Sequence, residues 1–397
     1  MAVATSQRLV LATVCAIAVS TIYAVQPVLG AAGADLGLAP ESLGRLVATG
    51  QIGYFAGLVL LVPLGDIMDR RLLITGHLLL TAVGAALAAA APNAVVAVAG
   101  LAVAGVFAVV VQVTVAYVAA LSPPQDRGRN IGAVTSGVVI GILGIRVLAG
   151  ALGDTVGWRA VYVLLAVACV VLAGTVRLCL RPDPRTSGAR YPQVLASMAR
   201  FGRDPIFLGR GVIAFFLFAS FGTLWSGLAL PLGARPWNLG STEIGLDGLV
   251  GIAGALGATR AGRWADAGRA QSITGGALVL LAASWLLIAR TGPTLWLLIL
   301  GIVVLDFAVQ AVHVSSQHLL TTAHPDRSGS VIGAYMAFYS LGSALGAITT
   351  TWAYSRWGWW ACCLAGALYA LAGIAVWVLA RSAAGAAATP RIPQPQA

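Results

Sequence analysis

The sequence predicts an all-α polytopic membrane protein of about twelve transmembrane helices, arranged as two six-helix pseudo-symmetric halves. Three observations predict it. The 397-residue chain is 59% hydrophobic and only 9% charged, with a mean hydropathy of +0.90, whereas soluble domains carry roughly 25% charged residues. Apolar runs of about twenty residues, the length needed to cross about 30 Å of hydrocarbon, recur twelve times. Segments of the first half reappear about 200 residues later.

In chain order the spans fall near 9–31, 43–64, 72–91, 94–121, 131–152 and 159–180, then near 209–233, 243–261, 271–291, 295–320, 330–352 and 359–381. The opening MAVATSQR runs straight into an apolar stretch longer than a signal-peptide core, so it reads as a retained first helix. Residues 1–180 thus form an N-terminal six-helix bundle and 209–381 a C-terminal one. The polar stretch 181–208 between them reads as a linker, and the Ala- and Pro-rich 382–397 as a disordered tail. Cys15, Cys169, Cys179, Cys362 and Cys363 lie in or at the ends of apolar segments without metal-ligand spacing, which points to packing.

All 24 basic residues are arginines, and with 13 acidic residues the net charge is +11. In a soluble chain this would suggest nucleic acid. Here the arginines sit in breaks between spans, where they set topology. With the amino terminus inside, eighteen fall on the inner side, and Arg45, Arg159, Arg235, Arg290 and Arg356 on the outer side. Both termini are therefore expected in the cytoplasm. Trp158, Trp237, Trp296, Trp352, Trp357, Trp359 and Trp360 collect at the outer ends, as headgroup-level rings do.

The repeat is specific. QDRGRNIGAVTSG runs into span 5 and PDRSGSVIGAYMAFYS into span 11, so Asp126 and Asp326, Arg127 and Arg327, and Trp158 and Trp359 correspond at offsets of 200 or 201. After span 2, VPLGDIMDRR places Asp66, Arg70 and Arg71. After span 8, GRWADAGR places Asp266 and Arg269. These loops resemble the Gly-x3-Asp-(Arg)-x-Gly-(Arg)-(Arg) signature of the major facilitator superfamily, although Val62 and Asp69 replace its two glycines. IYAVQP at 22–27 and the glycine-rich GVVIGILGIRVLAG of span 5 are similar to segments of its bacterial drug and metabolite exporter branch, the drug:proton antiporters. The Gly-Pro step usual in that span is absent, and Leu101 stands about where many proton-coupled exporters carry an arginine. The resemblance covers nearly the whole chain and implies the major facilitator fold, alternating access, and a cavity lined by helices 1, 4, 7 and 10. It further implies that Asp66 caps helix 11 and, by symmetry, Asp266 helix 5. Such gating contacts form when the cytoplasmic side shuts. Arg70 and Arg71 as plain topology anchors is the competing reading.

Candidate site residues follow from the cost of polar groups at membrane depth. Arg146 in span 5 costs about 2.5–3.5 kcal/mol on insertion scales, so it needs an interior partner or an aqueous cavity, unless it snorkels to the outer interface. In span 10, Asp306, Gln310, His313 and Gln317 fall within a sector of about 60°, one polar stripe on an apolar helix. Asp306, His313 and Arg146 are the proton-coupling candidates. Asp306 as a structural anion paired with Arg146, or as a ligand for a cationic solute, stays open. Tyr23 and Gln26 of helix 1, Gln112 and Tyr117 of helix 4, Phe218, Phe221 and Trp225 of helix 7, and Gln310 and Gln317 are the substrate-binding candidates. Interhelical bonding and packing compete for each.

The expected function is proton-coupled efflux of a small amphipathic drug or metabolite across a bacterial cytoplasmic (inner) membrane, by a monomer. An importer or uniporter, and a non-transporting membrane sensor on the same fold, remain alternatives. No nucleotide-binding loop, metal cluster or nucleophile–base constellation stands out, so neither an enzyme nor a cofactor is expected. The charge asymmetry carries a direct check. In a background without native cysteines, a cysteine at Ser187 should react with an impermeant thiol reagent only after cells are permeabilised. Labelling of intact cells would invert the topology.

Overall fold

The computed structural model describes residues 5–123, 126–183, 191–246, 248–250, 269–290, 294–324 and 328–388. In the first half, α1 is Thr5–Tyr23, α2 Gly44–Leu60, α3 Arg70–Ala89, α4 the two segments Ala94–Phe107 and Val110–Leu121, α5 Arg127–Thr155 and α6 Trp158–Cys179. The second half holds α7 at Pro205–Gly227, α9 at Ala270–Ile288, α10 at Leu295–Ala323, α11 at Ser328–Trp357 and α12 at Trp359–Ala388. Between α7 and α9, helical residues 241–246 and 248–250 begin α8. Most of span 8, and Asp266 with it, lies outside the described residues. Among the described residues eleven helices are long and apolar enough to cross a membrane.

Several boundaries depart from the sequence reading for local reasons. Pro27 offers no N–H, and α1 stops at Tyr23; the chain turns and resumes as a short helix, Leu29–Asp35. Span 4 is not one continuous helix: at Phe107–Val110 the Ala108 N–H is shared between the carbonyls of Ala104 and Gly105. Asp69, which replaces a signature glycine, caps α3 by accepting from the Arg71 N–H at 2.8 Å. The linker is not merely polar coil. It contains a helix at Tyr191–Ala199, and α7 starts at Pro205, capped by Asp204, rather than at 209. Residues 382–388 continue α12 instead of opening the tail. Arg210, counted from sequence as an inner-side anchor, is buried and donates to Thr274 Oγ1 at 3.1 Å and to Gln271 Oε1.

Within each half the repeat is visible as backbone contact. Gly137 and Gly141 of α5 lie against the backbone of Ala12 and Ala16 in α1, and Gly342 and Gly346 of α11 lie against Phe215 and Ala219 in α7. Small residues let membrane helices approach this closely, which substitutes dispersion for the hydrophobic drive that lipid lacks. Each half has its own apolar core, Leu11 to Leu180 in the first and Phe201 to Ala370 in the second. Ala344 and Ala347 of α11 join the first core, marking where the halves meet.

Gly346→Val should be destabilising by about 1–3 kcal/mol, the usual cost of overpacking, because its side chain would meet the Ala219 carbonyl and the Thr223 nitrogen, at 2.7 Å for the latter. Thermal unfolding of the purified protein in detergent measures this. An unchanged melting temperature would show that α7 and α11 are not so closely seated.

Candidate functional site at the seam between the halves

The break after α1 places Gln26 beneath the seam, where its Oε1 accepts from Arg146 Nη2 at 2.8 Å. The Arg146 guanidinium lies over the Trp225 ring, 3.6 Å from the centroid, a cation–π contact. On the far side Trp225 Nε1 donates to Asp306 Oδ1 at 3.1 Å. Gln26, Arg146, Trp225 and Asp306 are all buried. A basic group from α5 and an acidic group from α10 are thus joined through one indole of α7. The space between Gln26, Pro27, Arg146, Trp225 and Leu228 is about 10 Å³, room for roughly one water at most.

One to two helical turns along the same helices, the halves meet through aromatic rings. The hydroxyls of Tyr23 and Tyr339 hydrogen-bond across the seam. Tyr339 meets Phe218 edge-on at 4.0 Å between centroids, and Phe218 meets Phe221 at 5.8 Å and His313 edge-on at 5.3 Å. His313 Nε2 lies 3.0 Å from Gln317 Nε2 and its Nδ1 3.1 Å from the Tyr335 hydroxyl. With the amide donating to Nε2, Nδ1 carries the proton and donates to Tyr335, which fixes a neutral imidazole. Gln112 donates to the Tyr54 hydroxyl at 3.2 Å. Gln51 of α2 is fully buried beside Tyr23.

The structure therefore brings together Tyr23, Gln26, Arg146, Phe218, Phe221, Trp225, Asp306 and His313 along one seam. Gln310 is half-buried on the same helix face, Gln317 is engaged by His313, and Gln112 by Tyr54. Tyr117 is a correction. Its hydroxyl donates to the Arg181 carbonyl at 2.9 Å, at the linker end of the bundle, so it holds the chain entering the linker rather than facing the centre. Arg146 does not snorkel; it is buried with an interior partner.

At the end that carries the linker, inner in the expected orientation, Arg70 lies 3.4 Å from both Asp66 and Asp183. Burial, then the nearby Asp69 carboxylate, push Asp183 above the ordinary carboxylate range. Arg71 follows in the same turn, while Arg269 is exposed just before α9. Residues 325–327 ahead of α11, and Asp266, lie outside the described residues, so the caps expected of Asp66 and Asp266 remain expectations.

The opposite end, outer in the expected orientation, holds what the sequence reading missed. Gly44 of α2 and Gly245 of α8, 201 residues apart, occupy matching places: a methyl group added to either would overlap a carbonyl of the opposite half, Ala347 or Arg146. Both seams are closed by a cap across the halves. Thr351 Oγ1 accepts from the Gly44 N–H at 3.1 Å, and Asp154 accepts from Ser241 N at 3.0 Å, Thr242 N at 2.7 Å and Thr242 Oγ1 at 2.7 Å. An acid in the last turn of α5 opposes that helix's own dipole. That mismatch was the available signal that Asp154 serves another helix.

With this geometry established, comparison with known proteins decides the family. The model of the Major Facilitator Superfamily matches the chain twice, over residues 9–234 and 211–396. The chain is a member of the major facilitator superfamily. The uncharacterized transporter YgaY of Escherichia coli O157:H7 is 37% identical over 362 residues, 91% of this chain and 92% of its own. The probable transporter SCO4007 of Streptomyces coelicolor is 32% identical over 356 residues, 89% of this chain and 82% of its own. In fold, a bacterial homolog of the human lysosomal transporter Spinster, inward-facing and occupied, superposes with a TM-score of 0.74 at 16% identity, covering 96% of this chain and 95% of that one. This major facilitator chain is therefore a membrane-spanning transporter, of a family whose members bind small-molecule substrates.

Asp154→Ala would remove three bonds that hold the outer α5–α8 seam. Loss of such a cap costs about 1–2 kcal/mol, a shift of about five- to thirty-fold between closed and open populations. Spin labels at Val156 and Asn238 should then report a longer-distance population absent from the unsubstituted protein. Identical distance distributions would mean the cap does not hold this seam.

Proposed function

We propose that this transporter exports a small amphipathic drug or metabolite in exchange for protons across a bacterial cytoplasmic membrane, with both termini inside and a monomer as the working unit. The observation that carries the reading is the buried line Arg146–Trp225–Asp306 across the seam. While Asp306 is ionised, its attraction draws the Arg146 guanidinium onto the indole and favours a shut outer side. A proton on Asp306, or a solute wedged beside Trp225, weakens that attraction. Proton and solute thus compete for one site, the minimal requirement for exchange. Phe218, Phe221 and Trp225 offer apolar faces for a planar or amphipathic solute, with Tyr23, Gln26, Gln112, Gln310 and Gln317 as polar contacts near it. His313, held neutral between Gln317 and Tyr335, modulates the stripe. Asp66, Arg70, Arg71, Asp266 and Arg269 serve the inner gate.

Asp306→Asn tests the reading. In vesicles under an imposed pH difference, the variant should lose uphill accumulation while retaining downhill exchange. Loss of both with poor folding would indicate a structural anion. If the folded variant accumulates solute as well as the unsubstituted protein does, Asp306 is not the coupling site and His313 becomes the next candidate.

A further inference from the structure

Between the halves, beneath the linker helix Tyr191–Ala199, lies a second cavity of about 460 Å³. Its wall is apolar throughout: Leu58 and Val59 of α2, Phe207 of α7, Ala337 and Phe338 of α11, and Leu195 of the linker helix among others. The linker is strapped over it at both ends. The Tyr191 hydroxyl donates to the Leu60 carbonyl at 2.6 Å. At the other end Phe201 is buried against Phe207 at 5.4 Å and His324 at 5.3 Å, and Asp204 bonds His324 at 2.6 Å.

The volume lies in the range of ligand pockets, about 300–1,000 Å³. Water has no polar group there to bond, and an apolar void left empty forfeits the contacts of its wall. A transported solute would need polar groups to orient it, and this wall supplies none. Immediately beyond Ala199, which also lines the cavity, stand Arg200 and Arg203. Both are exposed, and neither pairs with a carboxylate among the described residues. Exposed basic groups that follow directly in sequence from a wall residue of an apolar slot match the two parts of an anionic lipid, phosphate and hydrocarbon.

We propose that this cavity is a phospholipid site: one acyl chain enters beneath the linker helix from the leaflet on that side, and Arg200 and Arg203 hold the phosphate headgroup. Because the walls belong to both halves, the bound chain is part of the seam that moves in transport. The site is separate from Asp306 and stands whether or not protons drive the cycle.

The test uses the full chain reconstituted in vesicles of equal phosphatidylglycerol and phosphatidylcholine, then extracted and weighed by native mass spectrometry. The expected result is one retained phosphatidylglycerol per chain, favoured over phosphatidylcholine by about tenfold or more, as two surface arginines would give. Filling the cavity with Ala337→Trp should abolish retention, and Leu195→Trp on the linker provides the same block should the first variant fold poorly. The pair Arg200→Gln and Arg203→Gln should keep a lipid but lose the preference. Retention unaffected by a folded tryptophan variant, no retention by the unsubstituted chain, or equal retention of the two lipids by that chain would each overturn the proposal.

Discussion

A guanidinium buried between two halves that must separate is the constraint on which the rest of this structure depends. In a bilayer Arg146 cannot be left to itself. Its partners come from three other helices: the Gln26 carbonyl after α1, the Trp225 ring of α7, and through that ring the Asp306 carboxylate of α10. On the proposed reading, the seam therefore carries a polar contact whose strength changes with anything that binds Asp306. An apolar seam of the same shape would close as well, but no ligand-linked term would reopen it.

The outer seam is also where the duplicated halves use one device twice. A helix amino end from one half, at Gly44 or Gly245, is pressed against the carboxyl-terminal part of a helix from the other. In each case an oxygen of the facing half, Thr351 Oγ1 or the Asp154 carboxylate, takes the orphan N–H groups. Helix ends need such partners, and supplying them from the opposite half ties the capping energy to the closed state. The end that carries the linker is built differently, from the Arg70 cluster and a strapped linker above an apolar space.

Much of this was legible in sequence, because the bilayer fixes helix length and penalises charge. Twelve apolar runs and a 200-residue repeat gave the architecture, and Asp306 and Arg146 stood out as ionisable groups at membrane depth. Other features were not legible, since they depend on tertiary neighbours. Tyr117 shares a helix with cavity candidates, yet its hydroxyl reaches the Arg181 carbonyl. Tyr339 and Asp154 gain meaning from Tyr23 and from the start of α8, more than 80 residues away in each case. The α1 break after Tyr23 was announced by Pro27 but was absorbed into a longer apolar run. The linker helix was hidden within a stretch whose arginines dominated its composition.

The central claim is that Arg146 and Asp306 act as one unit through Trp225. A double-mutant cycle tests it directly, using Arg146→Gln, Asp306→Asn and the pair, read as the open fraction of the outer side from spin labels at Ala39 and Ser355. Contacting residues couple by about 0.5–3 kcal/mol. The account predicts that each single change raises the open fraction and that the pair opens it no further than the larger single change. Strictly additive shifts would show two independent groups and contradict the account.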